Sequence, residues 1–199
     1  MKINNKKRLL KYMFLYRSFI FKHIKFETDS KDIELNKLIE ILNIKNKYKR
    51  IYKTINEMCD YIDNYYNGKS SNPCQFKNNT CICHRKQNLN YKNGCCRRCI
   101  YQTNKGCPTK NFSCKMFNCS YIKRHIKELD YNDIVLLKLL SIRQQSILKY
   151  DYYSTIEEVS KDLYYPSIIS LIRIDYRTIK RRIQLKRRQH VSRNNKRKR

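Results

Sequence analysis

Residues 33–62 read IELNKLIEILNIKNKYKRIYKTINEMCDYI, and this stretch decides the fold class. Its apolar residues recur at intervals of three and four, the period of an amphipathic α-helix. They form two sets, the first being Leu35, Leu38, Ile39 and Leu42 and the second Ile51, Ile55, Met58, Cys59 and Ile62. A polar stretch separates the sets. We therefore expect two helices, at about 31–44 and 47–66, that pair as an antiparallel hairpin within residues 27–73.

The chain after residue 126 also predicts helices. A helix at about 132–149 is marked by Ile134, Leu137, Leu140, Ile147 and Leu148. Ser154 and Glu157 then form a capping box for a helix that stops near Pro166, and Pro166 can begin another that reaches about Tyr176. We also expect a short helix within 120–129. The fold class is thus mainly α, with residues 126–176 as a C-terminal helical segment.

Residues 1–26 form a basic, aromatic-rich arm. Its apolar residues lie partly on one helical face, which predicts a core helix, and the alternative is a surface helix on nucleic acid or lipid. Arg17 interrupts the apolar centre and no small-residue cleavage site follows, so we do not expect a signal peptide. The longest apolar run is shorter than the ~20 residues that span a bilayer. We therefore expect a cytoplasmic protein with reduced cysteines.

Nine of the ten cysteines lie in residues 74–125, where the helical period vanishes. Clustered thiolates in a reducing compartment usually bind metal, and zinc prefers four thiolate or imidazole ligands. The candidate ligands are Cys74, Cys81, Cys83, Cys95, Cys96, Cys99, Cys107, Cys114 and Cys119. With His84 and His125 they suffice for two four-ligand sites. We therefore expect two zinc ions that staple a small, irregular, cysteine-rich module between the helical segments.

The sequence of this segment also helps to distinguish structural zinc from other roles of clustered cysteines. An iron–sulfur cluster takes four cysteines as well, but the regular ferredoxin spacing is absent. Disulfides would need an oxidising compartment. A catalytic zinc would keep an open position beside a carboxylate base, and no Asp or Glu occurs from Asn64 to Lys127. We therefore expect structural zinc. A metal or redox sensor remains an alternative, because adjacent Cys95 and Cys96 cannot easily both ligate one ion.

One motif carries a resemblance. The run GCCRRCIYQTNKGCPTKNFSCKMFNC, residues 94–119, resembles the cysteine-cluster proteins of AT-rich Gram-positive bacteria and their mobile elements. The resemblance extends over about residues 59–119, roughly a third of the chain. It implies a metal-binding cluster that uses Cys95, Cys96, Cys99, Cys107, Cys114 and Cys119. It implies no activity.

The charge of the chain points to a polyanionic partner. Lys and Arg total 45 against 16 Asp and Glu, a formal net charge of +29. AT-rich coding explains part of the Lys excess, but not the Arg residues. Residues 177–199 hold twelve Lys or Arg and no acid, and we expect a helix to about 188 with the last ten residues disordered in isolation. The predicted contacts to nucleic acid are Arg97, Arg98, Lys180, Arg181, Arg182, Lys186, Arg187, Arg188, Lys196, Arg197, Lys198 and Arg199.

These features predict a nucleic-acid-binding regulatory protein, with DNA favoured over RNA. Analogy with mobile-element proteins suggests transcription, or plasmid replication and copy-number control. The helices at 132–149 and 154–165 could form a helix-turn-helix, although their turn lacks glycine. The four histidines are too scattered for a catalytic triad and no phosphate-binding glycine loop exists, so we expect neither an enzyme nor a small-molecule substrate. A membrane-surface protein anchored by residues 1–26 is the alternative from another class.

Overall fold

The protein is mainly helical, as the sequence predicts. The computed structural model describes residues 1–16, 24–69, 109–118, 123–124 and 126–197. Two 3-10 helices, Tyr131–Asp133 and Val135–Leu139, precede the last three α-helices. Over the described residues there are seven α-helices: α1 Lys6–Tyr16, α2 Ile33–Leu42, α3 Lys47–Lys69, α4 Phe112–Met116, α5 Ile142–Tyr150, α6 Ile156–Tyr164 and α7 Ile168–Arg197.

Helices α2 and α3 form the predicted antiparallel hairpin. Asp32 begins α2 by accepting hydrogen bonds from the backbone N–H groups of Glu34 and Leu35, which helix geometry leaves without intrahelical partners. The antiparallel direction is visible in two ion pairs between the helices. Lys37 lies 2.8 Å from Glu57, and Lys53 lies 3.7 Å from Glu40.

Helix α3 is the scaffold of the core. It contacts α2, α4, α6 and the 3-10 helix Val135–Leu139. Ile55, Met58 and Cys59 are fully buried along it, and Thr54 is buried beside them with its hydroxyl donating to the carbonyl of Arg50. Burying each large apolar side chain stabilises the fold by about 1.5–3 kcal/mol. The apolar period at residues 51–62 therefore marks the face that the rest of the protein covers.

The N-terminal arm packs against this core. Ile3, Leu9 and Phe26 are buried, and a short parallel bridge joins residue 2 to Glu27, with the Ile3 N–H donating to the Glu27 carbonyl at 2.8 Å. The Asn43 amide exchanges two hydrogen bonds with the backbone of Phe26, at 2.9 and 2.7 Å. The described part of residues 1–26 thus belongs to the core, as the core-helix interpretation predicts.

The prediction of a single helix at 132–149 is wrong. The chain instead forms the two 3-10 helices and then α5, which begins at Ile142. Ser141 interrupts the helix because its hydroxyl accepts from the Gln144 N–H while the Gln144 side chain accepts from the Ser141 N–H, a reciprocal capping box. A capping residue needs extended backbone, and a continuous helix cannot pass through it. Within the helix predicted at 120–129, residues 123–124 are helical and residues 126–129 are not.

The predicted start of the next helix is displaced by one residue. The capping box is formed by Thr155 and Glu158, not by Ser154 and Glu157. The Ser154 hydroxyl is engaged instead by the carboxylate of Asp151. Helix α6 then ends at Tyr164, before Pro166, as predicted.

Helix α7 is longer than the sequence pattern indicates. It continues to Arg197, so residues 190–197, for which the sequence predicts disorder in isolation, are helical in the structure. Lys, Arg and Gln are good helix formers, and no Gly or Pro interrupts residues 168–197. The apolar period, which ends at Leu185, is not needed to propagate a helix that is already anchored.

Candidate nucleic-acid interface

The base of α7 is fixed to the core by three arginines spaced four residues apart. Arg173 donates to the Asp162 carboxylate at 2.9 Å, Arg177 pairs with the same carboxylate, and Arg181 donates to Glu158 at 2.9 Å. A spacing of four places all three on one helical face. Helix α7 therefore leaves the core in a direction set by ion pairs to α6.

The carboxylate of Asp162 is nearly inaccessible to solvent. Its side chain is 2 % exposed, and Arg173 and Arg177 both approach it. Ser170, which is fully buried, donates to the carbonyl of Tyr165 at 3.1 Å and so closes the corner between α6 and α7. Buried charge is tolerated only where it is paired and hydrogen-bonded, and this corner meets that condition.

The turn between α5 and α6 supplies a second buried carboxylate. The Asp151 side chain is 0 % exposed, accepts from Ser154 and lies 3.4 Å from Arg177. Burial raises the pKa of Asp151 to about 6, against the lowering effects of Ser154 and Arg177. Tyr153 in the same turn has a φ of 69°, the left-handed conformation that glycine adopts most easily.

The helices that flank this turn are the ones that the sequence offers as a possible helix-turn-helix. The two helices and the turn are present as α5, residues 151–155 and α6. However, α6 carries Glu157, Glu158 and Asp162 against Lys161 alone. Such a helix would be repelled by phosphates, so the basic surface of this region lies on α7.

The predicted nucleic-acid contacts fall into three groups. Arg181 is engaged in the ion pair with Glu158, whereas Lys180 and Arg182 are exposed to solvent. Further along the same helix lie Lys186, Arg187, Arg188, Lys196 and Arg197. Arg97, Arg98, Lys198 and Arg199 lie outside the described residues.

Of the nine predicted metal ligands, the structure describes Cys114. Those outside the described residues are Cys74, Cys81, Cys83, Cys95, Cys96, Cys99, Cys107 and Cys119. Cys114 lies on α4 and is partly exposed, and its sulfur accepts a hydrogen bond from the backbone N–H of Tyr153 at 3.4 Å. Within the part of the chain that is described, no group of three or more His, Cys, Asp or Glu could hold a metal ion.

Helix α4 is attached to the core on both sides of Cys114. Ser113 donates to the Leu148 carbonyl at 2.6 Å, and Lys115 donates to Asp63 of α3 at 2.7 Å. Asn111 donates to the carbonyls of Asp151 and Ser154 at 2.9 and 3.1 Å. The turn that holds Arg177 therefore also holds the edge of the cysteine-rich segment.

Cys59 is not among the predicted metal ligands, and it is a core residue. Its thiol is fully buried on α3, and burial raises its pKa to about 12. The thiolate is the reactive and metal-binding form of cysteine. Cys59 is therefore poorly suited to bind metal.

Sequence reasoning missed the anchoring arginines Arg173 and Arg177. A signal for them exists, since residues 173, 177 and 181 are all Arg at a spacing of four, and Glu158 and Asp162 repeat that spacing on the preceding helix. Opposite charges with one helical period on adjacent helices indicate a packed face.

No family model, no curated protein and no solved structure matches this chain. None of the helices described is both long and apolar enough to cross a membrane.

Proposed function

We propose that the protein binds nucleic acid, DNA in preference to RNA, through the basic C-terminal half of α7. The observation that carries the proposal is the continuity of this helix. Its first half is held by ion pairs up to Arg181, and residues 182–197 then hold seven Lys or Arg and no acid. A helix that is fixed at its base and uniformly basic beyond it is suited to binding a polyanion.

Helix geometry favours DNA as the partner. Residues 184–197 extend for about 20 Å at 1.5 Å per residue, and the major groove of B-DNA accepts an α-helix of this kind. The major groove of A-form RNA is too deep and narrow for side chains to read. Lys and Arg around the helix can contact phosphates on both sides of the groove, which gives affinity, whereas any sequence preference must come from the few side chains at base edges.

The proposal includes a zinc-stapled module in the cysteine-rich segment. Its edge at Cys114 contacts the same turn, 151–155, that holds Arg177. The thiolate is the form of cysteine that binds zinc. We propose that two zinc ions fold residues 74–125 and that Arg97 and Arg98 add phosphate contacts from this module.

The proposed biological role is regulatory and intracellular. A small basic DNA-binding protein of this kind suits transcription or the control of plasmid replication and copy number, and this part of the proposal rests on the resemblance at residues 94–119. The membrane-surface alternative gains no support from the described arm, because Ile3, Leu9 and Phe26 are buried in the core.

The test is the salt dependence of binding to duplex DNA. Replacing Lys186, Arg187 and Arg188 with Gln keeps helix propensity and removes three charges from the extension. We expect weaker binding at every salt concentration. The slope of the logarithm of the binding constant against the logarithm of the salt concentration should be reduced by about 0.9 for each phosphate that is no longer bound. For three phosphates the reduction is about 2.7.

The matched control replaces Lys7, Lys11 and Lys31 with Gln. All three are exposed and none lies on α7, so the control removes the same charge from the surface around α1 and α2. The salt dependence of DNA binding by this control should change far less. Equal slopes for the two variants, or no binding by the unmodified protein, would overturn the proposal. A parallel titration with duplex RNA should give weaker binding at the same salt.

A further inference from the structure

The outer face of α7 is apolar where a surface helix is usually polar. The face toward the core carries Ser170, Ile174 and the anchoring arginines, and both Ser170 and Ile174 are buried. The opposite face exposes five large apolar side chains: Ile169 (63 %), Ile172 (62 %), Tyr176 (65 %), Ile179 (57 %) and Ile183 (46 %). Single exposed apolar residues are ordinary, but five on one stripe form a patch of the kind that marks an interface.

The spacing of this stripe identifies the kind of partner. The five residues are separated by three, four, three and four positions, which is the heptad period of a coiled-coil seam. Ile169, Tyr176 and Ile183 then occupy the a positions, and Ile172 and Ile179 the d positions. Such a stripe fits another helix with the same period, and a second copy of α7 supplies one with two-fold symmetry.

The area is sufficient for a specific dimer. Each of these side chains can remove on the order of 100 Å² of apolar surface from water, so two copies would bury about 1,000 Å² in total. That value is at the lower end of specific interfaces between proteins.

Charge at the flanking positions favours parallel helices and limits their length. Asp175 at a g position, which also accepts a hydrogen bond from the Tyr150 hydroxyl at 2.8 Å, would face Lys180 at the following e position of the other copy, an attractive pair. The next such pair, Arg182 with Arg187, is repulsive, and Lys186 occupies the d position after Ile183. Pairing therefore ends at Ile183, and the two basic extensions diverge from that point.

We propose that the protein forms a homodimer through parallel pairing of the apolar stripe Ile169–Ile183 of α7. Because each copy has a formal charge of +29, the two copies repel each other over long distances. The dimer should thus be stronger at high salt, opposite to the effect of salt on DNA binding. The dimer does not depend on the proposed function and is measured without nucleic acid.

The experiment is sedimentation equilibrium of the full chain at about 0.15 and 1 M salt. We expect a dimer that tightens at the higher concentration, where the screening length falls from about 8 to 3 Å. The double variant Ile172→Lys, Ile179→Lys should raise the dimer Kd at least about a hundredfold, with an unchanged helical circular dichroism signal because both residues are exposed. Ile142→Lys is the matched control, since Ile142 is 77 % exposed on α5, outside the stripe, and it should leave the dimer intact.

A charge exchange tests the parallel direction. Asp175→Lys should weaken the dimer, and adding Lys180→Asp to it should restore much of the association. A monomeric unmodified protein at both salt concentrations, equal effects of the stripe variant and the Ile142 control, or failure of the exchange to restore association would each overturn the proposal as stated.

Discussion

Arg177 of α7 pairs with Asp162 of α6, whose side chain is 2 % exposed to solvent. The same guanidinium lies 3.4 Å from the carboxylate of Asp151, and the Arg177 side chain is itself only 16 % exposed. One arginine thus neutralises two buried carboxylates from two segments of the chain. These two ion pairs help to fix the long helix to the core, together with those of Arg173 and Arg181.

Loss of Arg177 should lower the free energy of unfolding. Arg177→Gln would leave Asp162 and Asp151 buried without their shared cation, and removing one partner of a buried ion pair typically costs about 3–5 kcal/mol. Urea unfolding should report a decrease in the free energy of unfolding of that order. Arg182→Gln, an exposed change just over one turn further along α7, should cost less than about 0.5 kcal/mol. Similar decreases for both variants would contradict the assignment.

The raised pKa of Asp151 predicts a specific pH dependence of stability. The pKa in the folded protein is about 6, above the 3.8 of an unperturbed aspartate, so the folded state binds the proton more tightly. The stability that this group contributes is therefore greatest below pH ~4 and falls as the pH rises to ~6, by about 3 kcal/mol in all. Asp151→Asn removes this titration.

The measurement is the difference in free energy of unfolding between the unmodified protein and Asp151→Asn, taken from about pH 4 to pH 7. The difference should shift in favour of the Asn variant as the pH rises, and it should become constant above pH ~7. Carboxylates remote from Asp151 titrate equally in both proteins and cancel. A difference that is independent of pH would show that Asp151 titrates normally.

The buried thiol of Cys59 should be inert in the native protein. With its pKa raised to about 12, almost no thiolate exists at neutral pH, and the core excludes reagents. After removal of metal by a chelator, alkylation followed by peptide mass spectrometry should modify the clustered cysteines and leave Cys59 unmodified until the protein is denatured. Modification of Cys59 at the rate of the clustered cysteines would contradict its burial in α3.

Much of the helical core could be predicted from the sequence, because apolar period and capping chemistry are local properties. The hairpin of α2 and α3 follows from Leu35 to Ile62, and the stop of α6 follows from Pro166. The break at Ser141 is also encoded locally, in its capping box with Gln144, but the apolar period across it conceals the signal. The shift from Ser154 to Thr155 could not be predicted, because it depends on Asp151 and Arg177, which meet only in the folded protein.

The candidate site could be predicted in composition more easily than in arrangement. Charge counts place the basic residues at 177–199, yet they cannot separate Arg181, which pairs with Glu158, from Lys180 and Arg182, which are exposed. That distinction depends on which face of α7 meets α6. The apolar stripe lies in the same helix, but its exposure is a property of packing and not of the local sequence.

Zinc content is the direct test of the cysteine-rich segment. We expect about two zinc ions per purified chain, and Cys99→Ser should reduce the content to about one by removing a ligand from a four-ligand site. The flanking helices should stay folded, since Ile55 and Met58 belong to a core whose described residues include no predicted ligand. Cys59→Ser is the control and should retain both ions. Metal-free protein, or an equal decrease in both variants, would contradict the ligand assignment.

The last prediction concerns the helical continuity of α7 between its anchored and basic halves. Leu185→Pro changes no charge, but proline removes a backbone donor and clashes with the preceding turn, at a cost of about 3 kcal/mol within a helix. If the extension binds DNA as a rigid helix directed by Arg173, Arg177 and Arg181, this variant must bind with a broken helix. Affinity should then fall between about ten- and a hundredfold at fixed salt, and any preference for one DNA sequence should weaken.

Leu185→Ala is the matched control, since alanine preserves the helix, and it should bind as the unmodified protein does. Gel-shift titrations of both variants at one salt concentration decide the matter. A flexible basic tail would meet phosphates equally well with or without a proline, because phosphate contact needs charge and reach but no fixed direction. Equal affinities for the two variants would therefore show that α7 acts through its charge alone, and that the ion pairs at its base do not direct binding.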